Sequence, residues 1–172
     1  MQDEKNVERV NLRSIPWHPF IAGIYDCIAD SRNMYLLQEL GHGGTLGERI
    51  RASKAGLPAD VCRFYFANIV LALEYVHSLG LVHGDVKPDN FFVGGDGYLM
   101  LGDFGLASKY DEEREWGVIA TQAYMSPEFG LEQYDMEAKR ALDWWSAGCT
   151  LFEMATGKMV RSCLHSHRSA NG

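Results

Sequence analysis

The amino-acid sequence predicts an α+β domain in which short strands and helices form separate layers. Two pairs of short β-prone runs are each joined by a polar or glycine-rich turn, which is typical of hairpins. Between these pairs lies a long segment whose apolar residues recur at steps of three and four, which is typical of a helix. A second, largely apolar helical segment follows the second pair.

The composition is that of an ordinary globular domain. The chain has 172 residues, of which 47% are hydrophobic and 23% charged, and a domain of this size buries roughly 70% of its unfolded surface. The formal net charge of −7 gives no electrostatic reason to expect a nucleic-acid partner. No apolar run approaches the ~20 residues of a membrane-spanning helix, and the first ten residues do not resemble a signal peptide. We therefore expect neither nucleic-acid binding nor a membrane span.

The cysteines indicate a reduced, intracellular protein, either cytoplasmic or nuclear. They are Cys27, Cys62, Cys149 and Cys163. Because they lie far apart and form no CxxC pair, we interpret them as free thiols, with disulfides as the minor alternative. The sequence does not predict the oligomeric state.

The first predicted hairpin lies near the N-terminus. Apolar stretches occupy residues 20–28 and 34–40, and the polar residues 30–33 between them predict the turn. The glycine-rich run 41–44 then breaks the second strand. Because this run does not open a helix, we interpret it as a plain turn and not as a nucleotide-binding fingerprint.

The stronger of the two predicted helices covers residues 60–79. Gly80 follows it as a stop signal. The apolar residues that define its period are Val61, Tyr65, Ile69, Ala72, Val76 and Leu79. Because Arg63 and Glu74 are the only formally charged residues between Val61 and Leu79, we expect most of this helix to be buried.

The second predicted helix covers about residues 141–155 and is ended by Gly157. We interpret Trp144 and Trp145, which lie within it, as core anchors. Residues 159–172 show no periodicity and are expected to be an unstructured tail.

The second predicted hairpin brings chemistry-bearing residues together. Its strands cover residues 91–93 and 98–101 and flank a glycine-rich turn. Asn90 lies one residue before the first strand and Asp103 two residues after the second, and the open ends of an antiparallel hairpin lie ~5 Å apart. The carboxamide and the carboxylate can therefore converge as hard oxygen ligands of the kind that Mg²⁺ takes.

The loop before this hairpin, residues 83–90, is unusually rich in polar chemistry. It adds a candidate base, Asp85, and a cation, Lys87, to the two metal ligands. A charged surface turn is the alternative interpretation. A base, a cation and two metal ligands in one place instead favour phosphoryl transfer, in which positioning and charge neutralisation supply most of the catalysis.

Four motifs, in this order along the chain, resemble the signature of eukaryotic protein kinases. They are HGDVKPDN at 83–90, DFG at 103–105, SPE at 126–128 and DWWSAG at 143–148. The stretches at 18–21, 33–40 and 63–85 resemble the AGC group of serine/threonine kinases most closely. The resemblance covers roughly residues 3–159.

The resemblance implies a partial protein-kinase-like fold over residues 1–158, followed by the tail. A remnant of the small-lobe sheet would occupy about residues 1–40, and a mainly helical catalytic lobe about residues 45–158. The implied activity is transfer of the γ-phosphoryl group of ATP to Ser or Thr of a protein substrate, with ATP and Mg²⁺ as cofactors.

The resemblance also implies roles for the residues of the predicted phosphoryl-transfer site. Asp85 is similar to the catalytic-loop aspartate that orients the substrate hydroxyl and accepts its proton. Lys87 is similar to the lysine that neutralises the transferred phosphoryl group. Asn90 and Asp103 match the two positions that bind magnesium and, through it, ATP.

Residues at the end of the first predicted hairpin are implied to bind the nucleotide. Gln38 occupies the gatekeeper position, and Glu39, Leu40 and Gly41 form the hinge that contacts adenine. Thr45 lies about where this group of kinases often contacts the ribose.

Three further positions receive roles from the resemblance. Asp143 would hold the backbone of the catalytic loop, with a helix N-terminal carboxylate as the alternative. Thr121 resembles the substrate-loop threonine near the catalytic aspartate. Glu4 is either the helix-C glutamate or a solvated residue in a charged run.

Several positions depart from the kinase pattern. No glycine precedes Gly23, and Lys5, the only lysine before the implied hinge, lies in the predicted end of a helix and not on a strand. The glycine-rich phosphate loop and the strand lysine are therefore missing from this sequence, as if the domain were cut at both ends. Gly84 replaces an arginine and Ser126 an alanine. A catalytically impaired pseudokinase or binding module, or a truncated gene product, is accordingly the alternative to a serine/threonine kinase.

Overall fold

The computed structural model of the chain describes residues 15–30, 32–109, 122–127 and 136–160. The predictions for Glu4, Lys5 and Thr121 lie outside these ranges, as does the predicted tail beyond residue 160.

Six short strands form three antiparallel pairs within the described residues: β1 with β2, β3 with β6, and β4 with β5. The strands are β1 (Ile24–Ala29), β2 (Met34–Gln38), β3 (Leu81–Val82), β4 (Phe91–Val93), β5 (Leu99–Leu101) and β6 (Ser108–Lys109). The α-helices in the same part of the chain are α1 (Leu46–Ser53), α2 (Ala59–Ser78) and α3 (Met136–Thr156). The predicted α+β class is confirmed.

The first hairpin forms as predicted, but β1 begins at Ile24 and not at residue 20. The carboxylate of Asp30 closes its turn by accepting the backbone N–H groups of Arg32 and Asn33 at 2.7 and 2.6 Å. The residues before β1 pair with a different strand. Leu101 in β5 donates its N–H to the carbonyl of residue 20 at 2.8 Å and accepts the N–H of residue 22 at 2.9 Å.

Helix α1 is absent from the sequence prediction, although its start carries a recognisable signal. Thr45 and Glu48 form a capping box: the Thr45 hydroxyl accepts the Glu48 N–H at 3.1 Å, and the Glu48 carboxylate accepts the Thr45 N–H at 2.8 Å. Leu46 and Ile50 are buried and form the inner face of the helix. The spacing T-x-x-E before an apolar residue would have predicted this helix.

Helix α2 agrees with the prediction to within one residue at each end. Less of it is buried than expected, eight of its 20 residues, because one side of the helix, which includes Phe64 and Leu71, is exposed. Its buried side joins the hydrophobic core between the β4–β5 hairpin and the inner face of α3. Fully buried members of this core are Ile69, Leu73, Phe91, Leu101 and Met154. Asn68 ties the helix to the hairpin, because its side-chain oxygen accepts the N–H of Leu99 at 2.9 Å.

Helix α3 begins at Met136, five residues before the predicted start at 141, and Gly157 follows its end with φ = +69°. The interpretation of Trp144 and Trp145 as core anchors is wrong, because 36% and 42% of their surfaces are exposed. The inner face of α3 is formed by smaller neighbours such as Ala147, together with Met154. Among the described residues, no helix is long and apolar enough to cross a membrane.

Candidate active site

A buried carboxylate on α3 holds the backbone of the loop between β3 and β4. Asp143 is 1% exposed and accepts the N–H of His83 and the N–H of Gly84, each at 2.9 Å. It also accepts a hydrogen bond from Nε2 of His77 on α2 at 2.8 Å. Asp143 lies inside α3 and not at its N-terminus, so the prediction that it holds the loop backbone is confirmed.

Gly84 fits the conformation that this tether requires. Its φ is +78°, in the left-handed region that costs a residue with a Cβ about 1 kcal/mol. The glycine that departs from the kinase pattern therefore lets the loop turn at this point without backbone strain.

His83 links the loop to the segment between β5 and Asp103. Its ring is fully buried, with Nε2 at 3.0 Å from the carbonyl of Gly102 and Nδ1 at 3.3 Å from the backbone nitrogen of Asp85. Because a backbone N–H can only donate, Nδ1 accepts and the ring proton lies on Nε2. The edge of the ring also contacts Phe104, with centroids 4.8 Å apart. One side chain thus aligns both segments of the predicted site.

Asp85, Lys87 and Asn90 form a compact charged group. Nζ of Lys87 lies 2.6 Å from Oδ2 of Asp85, and Nδ2 of Asn90 donates to the same oxygen at 3.1 Å and to the Asp85 carbonyl at 2.7 Å. Burial, the largest influence, would raise the pKa of Asp85. The hydrogen bond and charge of Lys87 and the hydrogen bond of Asn90 outweigh it, so the pKa lies below the usual range of a carboxyl group. Asp85 is therefore ionised at neutral pH.

The hairpin register places Asn90 beside the residue before Asp103. Phe91 in β4 pairs with Leu101 in β5, and Gly102 donates its N–H to the Asn90 carbonyl at 2.9 Å. Because Asn90 uses its amide hydrogens on Asp85, its side-chain oxygen is the atom suited to a metal ion. Asp103 is exposed, and its carboxylate accepts the Gly105 N–H at 3.4 Å.

Asp103 is one of two non-glycine residues with positive φ in the described part of the chain, at +56°. This conformation costs about 1 kcal/mol and is enriched at functional sites. The donor set of one carboxylate and one carboxamide fits Mg²⁺, which binds proteins through few oxygen ligands and keeps several waters. The described residues contain no group of three or more His, Cys, Asp or Glu side chains that could hold a metal ion by themselves.

The predicted nucleotide-binding segment lies directly beside the hairpin. Gln38 ends β2 opposite Ile24, and Glu39 donates its N–H to the Gly23 carbonyl at 2.8 Å. Gly41 approaches the hairpin closely, because a Cβ on it would lie 2.7 Å from Cβ of Phe92.

Two backbone hydrogen bonds attach the next residues of this segment to β4. Val93 accepts the N–H of Gly43 and donates to the carbonyl of Gly44, both at 2.9 Å. Leu40 is exposed, and the hydroxyl of Thr45 caps α1. The segment and the site at the hairpin ends therefore belong to one continuous set of contacts.

Two contacts near the site have no signal in the sequence. The Tyr124 hydroxyl donates to Glu153 on α3, both residues being buried, and Ser146 donates to the Tyr124 carbonyl at 2.8 Å. Burial and the Glu153 carboxylate raise the pKa of Tyr124. These residues are too far apart in the chain for any local pattern to pair them, and the contacts fix Tyr124 on α3.

Comparison with known proteins agrees with this geometry. A family model of the protein kinase domain matches residues 2–170. A cAMP-dependent protein kinase, catalytic subunit-like, of Caenorhabditis briggsae is 37% identical over 141 residues, which cover 82% of this chain and 35% of that protein. The cAMP-dependent protein kinase catalytic subunit of Dictyostelium discoideum is 36% identical over 155 residues, which cover 88% of this chain and 22% of that protein.

A relative with a different name matches at a similar level. The 3-phosphoinositide-dependent protein kinase 1 of Arabidopsis thaliana is 34% identical over 163 residues, which cover 88% of this chain and 32% of that protein. The chain thus spans about a third or less of the length of these curated relatives.

Proposed function

Because the chain belongs to the protein kinase family, we propose that it carries the catalytic core of an ATP-dependent protein serine/threonine kinase of the AGC group. The observation that supports this most directly is the ionised Asp85, which Lys87 and Asn90 hold in a loop fixed by Asp143. Kinases of this family act on protein substrates, with ATP and a divalent metal ion. Ser or Thr as the acceptor, Mg²⁺ as the ion, and an intracellular, cytoplasmic or nuclear location are part of the proposal.

Asp85 orients the substrate hydroxyl and receives its proton. A carboxylate with a lowered pKa is a weak base, so its main contribution is to hold the hydroxyl by a strong hydrogen bond until the proton is released. Lys87, at 2.6 Å from the same carboxylate, places a positive charge where the transferred phosphoryl group passes. Both effects depend on position, which the buried tethers of the loop maintain.

Asn90 and Asp103 would hold the divalent ion at the open ends of the β4–β5 hairpin. When bound, the ion neutralises charge on the phosphates. Gln38, Glu39, Leu40 and Gly41 would contact the adenine ring, and Thr45 lies next to this segment. These assignments rest on the position of the segment against β4.

The kinase proposal is favoured over a pseudokinase or binding module. The relatives are named as protein kinases or their catalytic subunits, and Lys87 and Asn90 both hydrogen-bond to the Asp85 carboxylate.

Phosphorylation of a basic peptide containing Ser and Thr tests the proposal. We expect Mg²⁺-dependent transfer from radiolabelled ATP by the wild-type chain, and its loss in Asp85→Asn. Asp96→Asn is the matched control, because Asp96 is exposed in the turn of the same hairpin. Transfer that is equal in Asp85→Asn and wild type, or undetectable in wild type, would contradict the proposal.

A further inference from the structure

The segment before β1 is attached to the C-terminal part of α2 by two contacts of one tyrosine. The imidazole ring of His18 stacks on the ring of Tyr75, with centroids 3.9 Å apart and planes 8° from parallel. The hydroxyl of Tyr75 donates to the carbonyl of Pro16 at 3.0 Å. We call residues 16–20 the contact loop. No residue of this loop belongs to the proposed active site.

The contact loop continues directly into residues that pair with β5. Leu101 donates its N–H to the carbonyl of Phe20 at 2.8 Å and accepts the N–H of Ala22 at 2.9 Å. The ring of Phe20 also lies against Tyr98, with centroids 6.1 Å apart. The loop therefore connects α2 to the strand that ends two residues before Asp103.

The backbone fixes which form of His18 this arrangement accepts. Nδ1 of His18 accepts the N–H of Phe20 at 3.3 Å. Because a backbone N–H can only donate, Nδ1 carries the lone pair, and the proton of the neutral ring lies on Nε2. A second proton on the ring would place an N–H group at Nδ1, facing the N–H of Phe20. The hydrogen bond would then be lost, and the two groups would repel each other.

Helix α2 brings no carboxylate that would compensate a charge on His18. The ionisable residues beside Tyr75 in the chain are Glu74 and His77. Glu74 is exposed to solvent, and Nε2 of His77 is bonded to the carboxylate of Asp143 at 2.8 Å. Tyr75 itself offers the face of a neutral ring.

The other elements near the contact loop are equally poor in compensating charge. The remaining residues of the loop are uncharged. In the β4–β5 hairpin, Asp96 accepts the N–H of Tyr98 at 3.1 Å, and in β1 the exposed Asp26 accepts the N–H of Cys27 at 2.7 Å. Partial burial lowers the pKa of His18, and no charged group among the described residues opposes this shift.

We propose that the contact loop is a pH-sensitive attachment to α2, which is strong while His18 is neutral and weakens when His18 is protonated. The attached loop binds a proton less readily than the detached loop, so a falling pH favours detachment. The attachment has its full strength above 6.5, the usual value for histidine, and is weakest below the lowered pKa of the attached form. The proposal is independent of the kinase activity.

Titration of His18 by NMR is the first test. The Cε1–H resonance of His18 should give a pKa below 6.5 in the wild-type chain. Tyr75→Ala removes the ring that covers His18, so the pKa should return toward 6.5. His42→Phe, which replaces an exposed histidine, is the control and should leave the titration of His18 unchanged.

Hydrogen exchange of the Phe20 amide measures the attachment itself. Between pH ~7.5 and pH ~5, corrected for the intrinsic pH dependence of exchange, the opening equilibrium constant of wild type should rise. The expected factor is tenfold for each unit by which the NMR pKa of His18 lies below 6.5. His18→Phe keeps a stacked ring but cannot titrate, so its opening constant should be the same at both pH values. His42→Phe should behave like wild type.

A milder variant keeps the test informative if Tyr75→Ala fails to fold. Tyr75→Phe retains the stacked ring but loses the hydrogen bond to Pro16, so opening should increase at both pH values while the rise between them persists. A pKa of His18 at or above 6.5 in wild type, as attraction between the imidazolium and the Tyr75 ring would produce, overturns the proposal. An equal rise of opening in wild type and His18→Phe also overturns it, because another group would then be responsible. Circular dichroism confirms that each variant folds.

Discussion

Asp143 accepts the backbone N–H of Gly84 at 2.9 Å, across 59 residues of chain. This hydrogen bond joins the longest described helix to the loop that carries Asp85. The second carboxylate oxygen serves His83 and His77. All three donors are buried or nearly so. Water therefore cannot replace the Asp143 carboxylate as their hydrogen-bond acceptor.

Asp143→Asn should destabilise the fold strongly. The substituted side chain would have one accepting oxygen in place of two. Its NH₂ group would face an N–H donor that the carboxylate of Asp143 accepts in wild type, so that donor would lose its partner. We expect the free energy of unfolding to fall by about 2–4 kcal/mol in urea titrations. Asp96→Asn, at an exposed turn, should change it by less than about 0.5 kcal/mol. Equal effects of the two substitutions would show that the tether contributes little.

Lys87 should set the ionisation of Asp85. In Lys87→Met the burial remains but the favourable charge is gone, so the pKa of Asp85 rises above its wild-type value. Carboxyl carbon shifts in NMR titrations measure this directly, with Lys54→Met at an exposed position as the control. An unchanged titration of Asp85 would mean that Lys87 does not depress its pKa.

The same shift predicts how stability depends on pH. The folded pKa of Asp85 lies below its usual value of 3.8, so its ionisation stabilises the fold above that value. This contribution is lost as the pH falls through the lower, folded pKa. The free energy of unfolding should be measured by urea titration at a series of acidic pH values. As the pH falls below 3.8, we expect this free energy to decrease less in Asp85→Asn than in wild type. A parallel loss in both chains would contradict this.

Tyr124→Phe should leave a buried carboxylate without its donor. We expect a loss of about 1–3 kcal/mol in the free energy of unfolding, because Glu153 loses the hydroxyl that it accepts from. Combining it with Glu153→Leu, which removes the stranded charge, should recover part of that loss. Tyr25→Phe, at an exposed position, is the control. If the double variant is no more stable than Tyr124→Phe, the pair is not the cause.

Nucleotide binding should depend on Mg²⁺ through Asp103. Titration of ATP by calorimetry should show binding that Mg²⁺ strengthens in wild type but not in Asp103→Ala. Asp96→Ala, on the exposed turn of the same hairpin, should retain the Mg²⁺ response. Equal affinity with and without the ion in all three chains would rule out a metal site at the hairpin ends.

Activity should not require phosphorylation of the segment between DFG and SPE. Gly84 offers no side chain to bind a phosphate, and residues 111–120 contain four acidic residues but no Ser, Thr or Tyr. Ser108, opposite Val82 in the β3–β6 pair, is buried and uncharged. Phosphatase treatment should leave peptide phosphorylation unchanged. Mass spectrometry monitors any phosphate on residues 103–128. A fall in activity that accompanies the loss of such a phosphate would contradict this prediction.

The chemistry of the loop could be predicted from sequence because its residues are close neighbours in the chain. Asp85, Lys87 and Asn90 lie within six residues, and the hairpin that follows brings Asp103 back to them through local turn signals. The long helix α2 has the same basis, since its period is a property of adjacent turns. Helix α1 could also have been predicted from a local pattern, the capping box that begins at Thr45.

By itself, the sequence determined the class of fold, the helix from about 60 to 79, both hairpins and the residues gathered around Asp85, because each depends on short-range patterns. Only the tertiary structure decided that the start of the first apolar stretch pairs with β5, that Tyr124 contacts Glu153, and that Trp144 and Trp145 face outward. These outcomes depend on which surfaces of distant segments meet. The sequence around an apolar residue does not show whether it is buried or exposed, because burial depends on which distant segments pack against it.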